Sequence, residues 1–416
     1  MTAVPAPVLA GSDSPHGPRP SVPGIPLRTQ GDDAAAPERG KGSVQSLSST
    51  GFRNLQLTRH ALHPRLNLIA GPNGQGKTNV LEALALVSGR VSFRTSELLD
   101  TLAPGHREAA ITVGTEAGVL AASLVEGKRA QLLEGRRITR AVAARHLPIV
   151  FLTGSDLTRL AGGPADRRRA LDRLAAVLVP GYTAAYSRYE KARASRNRLL
   201  SGRRSPDADE LSVYEDALAQ SGASLVAGRR AAAARLSPAL SREAAHLSSP
   251  YAPLVLSVQN DLGSLPESAV EAELRSRFLE GRSRERAAGR TLTGPHRDDV
   301  LLLADGNLDV ATRASAGESR TLLLAWTLAE VALLTEALSR TPVLAFDDFD
   351  SEWDRTALAH FAEALPLDGQ ILLTSARPET VQSLPLGDGL LHRMEKGRIT
   401  GTEALGAIRS RRLYSV

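Results

Sequence analysis

Gly71-Pro72-Asn73-Gly74-Gln75-Gly76-Lys77-Thr78 fits the phosphate-loop pattern G-x-x-x-x-G-K-[ST]. The pattern requires a buried strand before it and a helix after it. Leu66-Asn67-Leu68-Ile69-Ala70 reads as that strand. Asn79 to Val87 reads as the helix, with Val80, Leu81, Leu84, Ala85 and Val87 apolar. The usual partner of such a loop is an apolar run ending in acids. Here that run is Val343-Leu344-Ala345-Phe346-Asp347-Asp348, and Val343 lies 265 positions after Thr78. Ser315-Ala316-Gly317-Glu318-Ser319-Arg320 sits between them, just ahead of the acids. The fold must bring both ends of the chain together around a long intervening segment. That spacing is not that of a compact kinase or GTPase. It points to an ATP-driven clamp whose site is completed by a second copy of the chain.

The chemistry of each motif follows from its residue types. The N–H groups of a glycine-rich loop, opening onto a helix N-terminus, favour bound phosphate. The nucleotide-binding candidates are Gly71, Pro72, Asn73, Gly74, Gln75, Gly76, Lys77, Thr78 and Asn79. Lys77 is placed to reach the β- and γ-phosphates, and the Thr78 hydroxyl to ligate Mg²⁺. Asp347, ending the apolar run, suits a carboxylate at Mg²⁺. Asp348 is the candidate that polarises the attacking water. It is one methylene shorter than the Glu often found at this place, so slow turnover is expected. Ser315 and Glu318 form a capping-box pattern. Ser315 and Gly317, with Glu318 and Arg320 in the same motif, are also candidates for closing on a γ-phosphate in trans. The helix after them is apolar nearly all round and reads as buried.

Residues 1–45 are rich in Pro, Gly, Ala and Ser and read as a disordered extension. Val44, just before the first folded pattern, is a candidate non-ATG start. The remaining chain reads as α/β. Residues 46–160 form the first part of a P-loop head, with short strands around 109–133 and 147–152. Residues 161–288 read as a mainly helical insertion, Ala/Arg/Leu-rich and broken near Ser201-Gly202 and Ser248-Ser249-Pro250. Residues 289–416 complete the head, with strands at Val300–Leu303 and Gln370–Leu373.

Charge bears on partners. The formal net charge is +6 and there is no Cys, so disulfides and a cysteine zinc site are excluded and a reducing cytoplasm fits. No run of uncharged apolar residues is long enough to span a bilayer, so no membrane partner is expected. From Arg159 to Arg204 the chain carries 12 Arg/Lys against three acids. The reading is either a solvated helix face with intrahelical pairs or a surface for a phosphate backbone. Arg167, Arg168, Arg169, Arg193, Arg196 and Arg198 are the DNA-binding candidates. A second group, Arg275, Arg277, Arg282, Arg284 and Arg286, is ambiguous. Aromatics are only 4% of the chain, which disfavours base stacking. His296, in Gly294-Pro295-His296-Arg297-Asp298-Asp299, reads as structural before catalytic.

Taken together these residues resemble the RecF family, bacterial recombination mediator ATPases related to ABC and SMC proteins. The resemblance rests on Phe52-Arg53-Asn54, Gly71 to Asn79 with Leu81-Glu82-Ala83, Ser92-Phe93-Arg94-Thr95, and Gly163-Pro164 with Arg167, Arg168 and Asp172. It extends through Thr293 to Asp299, the Ser315 motif, Asp347-Asp348 and Ser351-Glu352-Trp353-Asp354. It implies an ABC-type head with a helical insertion, ATP-dependent homodimerisation and a weak, DNA-stimulated ATPase. It further implies binding to DNA at gaps or single-strand/double-strand junctions, and action with RecO and RecR to place RecA. Trp353 departs from the Leu usual in that motif, Val91 from a small or polar residue, and the N-terminal extension has no counterpart. Thr374-Ser375 stands where many ABC proteins carry a switch histidine, and no glutamine loop is evident. The main alternative is the soluble ATPase subunit of a membrane transporter, which shares the phosphate loop, signature and acid pair. A chromosome-organising protein would need long heptad arms, and a fused nuclease more chain after the acids.

Overall fold

The computed structural model describes residues 42–157, 162–202, 207–348 and 368–405, save 383 and 385, together with 358, 362, 363 and 365. The Ser351–Asp354 motif, Arg159, Arg203, Arg204 and most of the N-terminal extension lie outside the described residues.

The first strand, β1 (Val44–Thr50), starts inside the stretch assigned to the extension. It opens an antiparallel sheet with β2 (Leu57–Ala61). Next come β3 (Leu66–Ala70), the phosphate loop and α1 (Lys77–Val87). The antiparallel sheet then resumes as β4 (Glu108–Thr115), β5 (Gly118–Val125), β6 (Lys128–Leu133) and β7 (Arg136–Ile138). These hairpins are longer than the runs legible in sequence, and their order is β2-β1-β4-β5-β6-β7. Helix α2 (Arg140–His146) leads to β8 (Ile149–Leu152).

The central segment contains α3 (Pro164–Leu178), α4 (Tyr182–Leu200) and the long α5 (Ala208–His246). It is not wholly helical. Strand β9 (Leu254–Gln259) lies within it, ahead of α6 (Glu267–Ala288), and pairs antiparallel with β10 (Asp299–Ala304). A short β11 (Leu308–Asp309) completes that sheet. Helix α7 (Ala316–Leu338) and β12 (Val343–Phe346) follow, then β13 (Ile371–Ser375), α8 (Pro378–Gln382), β14 (Gly389–Glu395) and β15 (Arg398–Leu405).

The second six-stranded sheet runs β15-β14-β3-β13-β12-β8. Pairing is parallel from β14 to β8, and only β15 is antiparallel. Buried parallel strands show apolar side chains on both faces. In β3, Leu66, Leu68 and Ala70 pack toward the helices while Ile69 packs toward α1. In β12, Leu344 and Phe346 take the first side and Val343 and Ala345 the second, as a period of two dictates. Helix α1 thus sits between the two sheets. Helix α7 is long and apolar enough by composition to cross a membrane, yet most of it is buried in the helix-side core.

Two buried ionic groups tie the helices to one another and to the 291–298 segment. Arg196, wholly buried, pairs with Glu215 (2.9 Å) and Glu285 (2.6 Å) and donates to Thr291 Oγ1 (3.0 Å). Arg229 forks onto Asp172 (2.7 and 3.0 Å) and reaches Asp298 (2.9 Å). Removing one member of such a set strands a buried charge, which typically destabilises by about 3–5 kcal/mol.

Two histidines, His392 fully buried and His296 partly so, also cross-link elements. His296 Nδ1 accepts from the Tyr189 hydroxyl (2.7 Å) and its Nε2–H faces Thr291 O (3.2 Å), so it is structural. His392 Nε2–H donates to Asn67 Oδ1 (3.0 Å), and its Nδ1 accepts from His60 (2.8 Å), joining the two large sheets. Burial pushes both imidazoles down to about 4. The unfolded chain, with histidines near 6.5, therefore binds protons between pH 6.5 and 4 that the native state refuses. Stability is full above about pH 6.5 and falls as pH drops toward 4, by roughly 2 kcal/mol per histidine at pH 5. Urea unfolding at pH 7.5 and pH 5 reads this, and equal midpoints would contradict it.

Candidate nucleotide site

Parallel register places the carboxyl ends of β3, β13 and β12 together, where open α/β sheets bind ligands. Ala70 aligns with Ser375, and the Gly71 N–H donates to Ser375 O (3.3 Å). The phosphate loop turns through left-handed conformations at Gly74 and Gly76, with φ of 79° and 108°. A side chain at Gly76 would also meet Asn54 Oδ1 at 2.6 Å. Helix α1 has no side-chain cap and no acid in its first turn, so its N-terminal N–H groups remain for an anion. Lys77, nearly buried, rests its ammonium on Gly71 O (2.8 Å) and Pro72 O (3.2 Å).

The acid pair meets this loop across the sheet. Thr78 Oγ1 donates to Asp347 Oδ1 (3.0 Å), which leaves the hydroxyl's lone pairs for a cation. Asp348 lies 4.0 Å from the Lys77 ammonium, its side chain 46% exposed. Burial, with the charge of Asp348 beside it, pushes the Asp347 carboxyl up, while the Thr374 and Thr78 hydroxyls and Lys77 oppose this. Two adjacent carboxylates near one ammonium leave negative charge that a divalent ion would balance. Thr78 and Asp347 therefore fit Mg²⁺, which would neutralise charge on the transferring phosphoryl group.

Sequence reasoning gave no role to several residues that hold the loop. The β14–β15 turn clamps it: Lys396 N–H donates to Gln75 Oε1 (2.7 Å) and Gly397 N–H to Gln75 O (2.8 Å). Asn54 donates to Gln75 O (3.2 Å) and accepts from Asn79 (2.8 Å). Arg53 forks onto buried Glu82 of α1 (2.9 and 2.7 Å), and Ser92 donates to the same carboxylate (2.6 Å). Arg94 donates to Asn79 Oδ1 (2.5 Å). The Phe52–Asn54 and Ser92–Thr95 motifs were thus visible in sequence, but their convergence on α1 was not.

A family model described as the RecF/RecN/SMC N-terminal domain matches residues 43–395. The DNA replication and repair protein RecF of Myxococcus xanthus is 30% identical over 369 residues, covering 84% of this chain and 94% of that one. Its namesake from Symbiobacterium thermophilum is 35% identical over 325 residues, covering 75% and 85%. This chain belongs to the RecF family. A solved structure of the recombination mediator RecF with ATPrS, in the RecFOR pathway, aligns with a TM-score of 0.76 at 24% identity over 86% of this chain and 97% of that one. An Smc head bound to the C-winged helix domain of ScpA aligns at 0.51 and 16% identity, over 87% and 97%. The fold is that of an ABC-type ATPase head.

In this family member the Ser315 motif opens α7 as the sequence indicated. Glu318 N–H donates to Ser315 Oγ (3.3 Å), and Ser315 N–H to Glu318 Oε2 (2.8 Å). Tyr251 adds a longer contact to Glu318 (3.4 Å). Arg320 lies in the first turns of the same helix.

The basic candidates separate. Arg196 is corrected: its buried pairing with Glu215 and Glu285 keeps it from any phosphate. Arg167 is held by Asp299 (2.7 Å) and Arg168 by the carbonyl of Asp298, so both chiefly anchor α3 to β10. Arg193 pairs with Glu190 (2.6 Å), and Arg169, well exposed, with Asp166. Arg198 is exposed and donates to Ser195 (2.9 Å). In the second group Arg275, Arg277 and Arg282 are paired with acids, while Arg284 and Arg286 are exposed.

The hairpin clamp gives a direct test. Gly397 has φ of 80°, and a side chain there would fall 1.8 Å from Asn54 O. Gly397→Ala is expected to loosen the loop and weaken ATP binding by roughly tenfold, as loss of an outer-shell partner does. Titration with a fluorescent ATP analogue measures this, and unchanged affinity in a folded variant would contradict it.

Proposed function

We propose that this chain is an ATP-dependent, DNA-binding recombination mediator that dimerises on ATP and hydrolyses it slowly as a switch. The observation that carries the reading is a division of labour in the site. The phosphate loop, Thr78 and the acid pair meet at the carboxyl ends of β3, β13 and β12, while the Ser315 motif presents an exposed helix N-terminus of its own.

Gly317 supports the trans assignment. It is exposed, its φ is unremarkable, and a side chain there would meet none of the described residues within 4 Å. Packing among the described residues gives no reason for glycine at a position where a helix disfavours it. Close approach of another molecule gives one. Ser315 Oγ accepts from Glu318 N–H, which leaves its own proton to donate outward.

The steps follow from these residues. Loop N–H groups and Lys77 hold the phosphates of ATP, and Thr78 and Asp347 hold Mg²⁺. Ser315 and Gly317 of a second copy close on the γ-phosphate. Asp348 takes the proton of the attacking water as its oxygen bonds to the γ-phosphorus and the bond to the bridging oxygen breaks, leaving ADP and phosphate. Opening of the dimer follows. The short reach of Asp348 fits slow turnover.

The names of the relatives support DNA replication and repair as the setting. RecO and RecR are then the partners, with RecA loaded at gapped DNA or single-strand/double-strand junctions, in the cytoplasm. For DNA binding the structure favours an exposed stripe of α4, Arg188, Lys191 and Arg198, at helical spacing. Replacing all three by Ala should weaken DNA binding and lower the salt slope by about 0.9 for each phosphate no longer neutralised. An unchanged slope would remove this stripe from the interface.

Gly317→Leu should fold with equal or slightly higher stability, since leucine is favoured over glycine in helices by up to about 1 kcal/mol. It should fail to dimerise with ATP in sedimentation, where the unmodified chain dimerises with ATP and not with ADP. Identical monomeric behaviour of the unmodified chain in ATP and ADP would sink the clamp reading.

A further inference from the structure

We propose that Thr374, at the carboxyl end of β13, is a positioning residue for hydrolysis, holding both members of the acid pair through one hydroxyl. The inference rests on the ATPase reading above and deepens it. The sequence put Thr374 where many ABC proteins carry a switch histidine, and the geometry gives it a different role.

Thr374 is wholly buried between β3 and β12. Its hydroxyl donates to Asp347 Oδ1 (2.7 Å) and accepts from the Asp348 N–H (2.8 Å). Both capacities of the hydroxyl are used, one on each acid. Asp347 Oδ1 also receives the Thr78 hydroxyl (3.0 Å). Two hydroxyls thus converge on one carboxylate oxygen. No hydrogen bond from the described residues reaches Oδ2, which leaves that oxygen for the cation or its waters. The orientation of the carboxylate is fixed by Thr374 as much as by the phosphate loop.

The second bond sets the backbone. Asp348 has φ of 44°, a left-handed conformation that residues with a side chain rarely adopt. Its N–H is held on the Thr374 oxygen, and that turn brings the Asp348 carboxylate to 4.0 Å from the Lys77 ammonium. A released N–H would let residue 348 return to an ordinary conformation and carry its carboxylate away from the water it must activate. Thr374 touches neither nucleotide nor water in this scheme. It acts through Asp347 on the cation and through Asp348 on the proton transfer.

Thr374→Val keeps the shape and removes both bonds, while Thr374→Ser keeps the hydroxyl. Purified full-length variants are compared by ATP turnover, by the Mg²⁺ concentration for half-maximal rate, and by the increment in thermal midpoint that Mg²⁺ adds to ADP. The valine variant should lose roughly 10- to 100-fold in kcat and require correspondingly more Mg²⁺, with KM for ATP near that of the unmodified chain. Its midpoint should lose the Mg²⁺ increment but keep that of ADP alone. The serine variant should recover both within a few fold. Normal kcat and Mg²⁺ dependence in the valine variant overturn the proposal. So does a serine variant as impaired as valine, because a packing role alone would then explain the loss. If the unmodified chain shows neither turnover nor an Mg²⁺ increment, the ATPase reading falls first and this proposal with it.

Discussion

Everything at the candidate site depends on the parallel pairing of β3 with β13 and of β12 with β8. These pairings join residues 66–70 to 371–375 and 149–152 to 343–346. Such non-local pairing must be formed against loop-closure entropy, and no local propensity compensates for it. What does compensate is burial on both faces, with α1 on one side and α7 on the other. Gln370 shows the same logic in one residue: its amide bonds both backbone groups of Val44 and the carbonyl of His63, tying three distant segments at the base of the sheet. Once that register is set, the loop, Thr374 and the acids meet without further design.

The helical segment is bound to this sheet by charge as well as by apolar packing. Arg229 and Arg196 act as internal bolts between helices and the 291–299 stretch, each paired with two carboxylates. Within the dense basic run, Arg196 is buried, and Arg167, Arg168 and Arg193 are engaged by Asp299, the Asp298 carbonyl and Glu190. The Arg196 and Arg229 pairs fix α5 against α3, α4 and α6.

The phosphate loop, acid pair and signature were legible because each is a short contiguous pattern with an obligatory context. The alternating faces of β3 and β12 were hidden, since a run apolar on both sides carries no period. Strand β9 escaped because six residues between long Ala/Arg-rich helices give little contrast. Arg196 looked like its neighbours Arg193 and Arg198, and only the positions of Glu215 and Glu285 show that it faces inward. Thr374 was noticed for the histidine it is not. Its bonds to Asp347 and Asp348 depend on strand order, which the sequence does not display. The clamp formed by Lys396 and Gly397 on Gln75 lies 321 residues from its target and has no local signature.

The central claim is that each site takes its phosphate loop from one copy and its signature from another. Mixing two inactive variants tests it most directly. Lys77→Met removes the loop's cation but keeps the signature, and Gly317→Leu does the reverse. In a two-fold dimer a mixed pair holds one complete site. The account predicts that a 1:1 mixture regains ATP turnover that neither variant shows alone, up to about half that of the unmodified chain, because each mixed dimer holds one complete site of two. A mixture as inactive as its parts, with mixed dimers demonstrated by cross-linking, would contradict it.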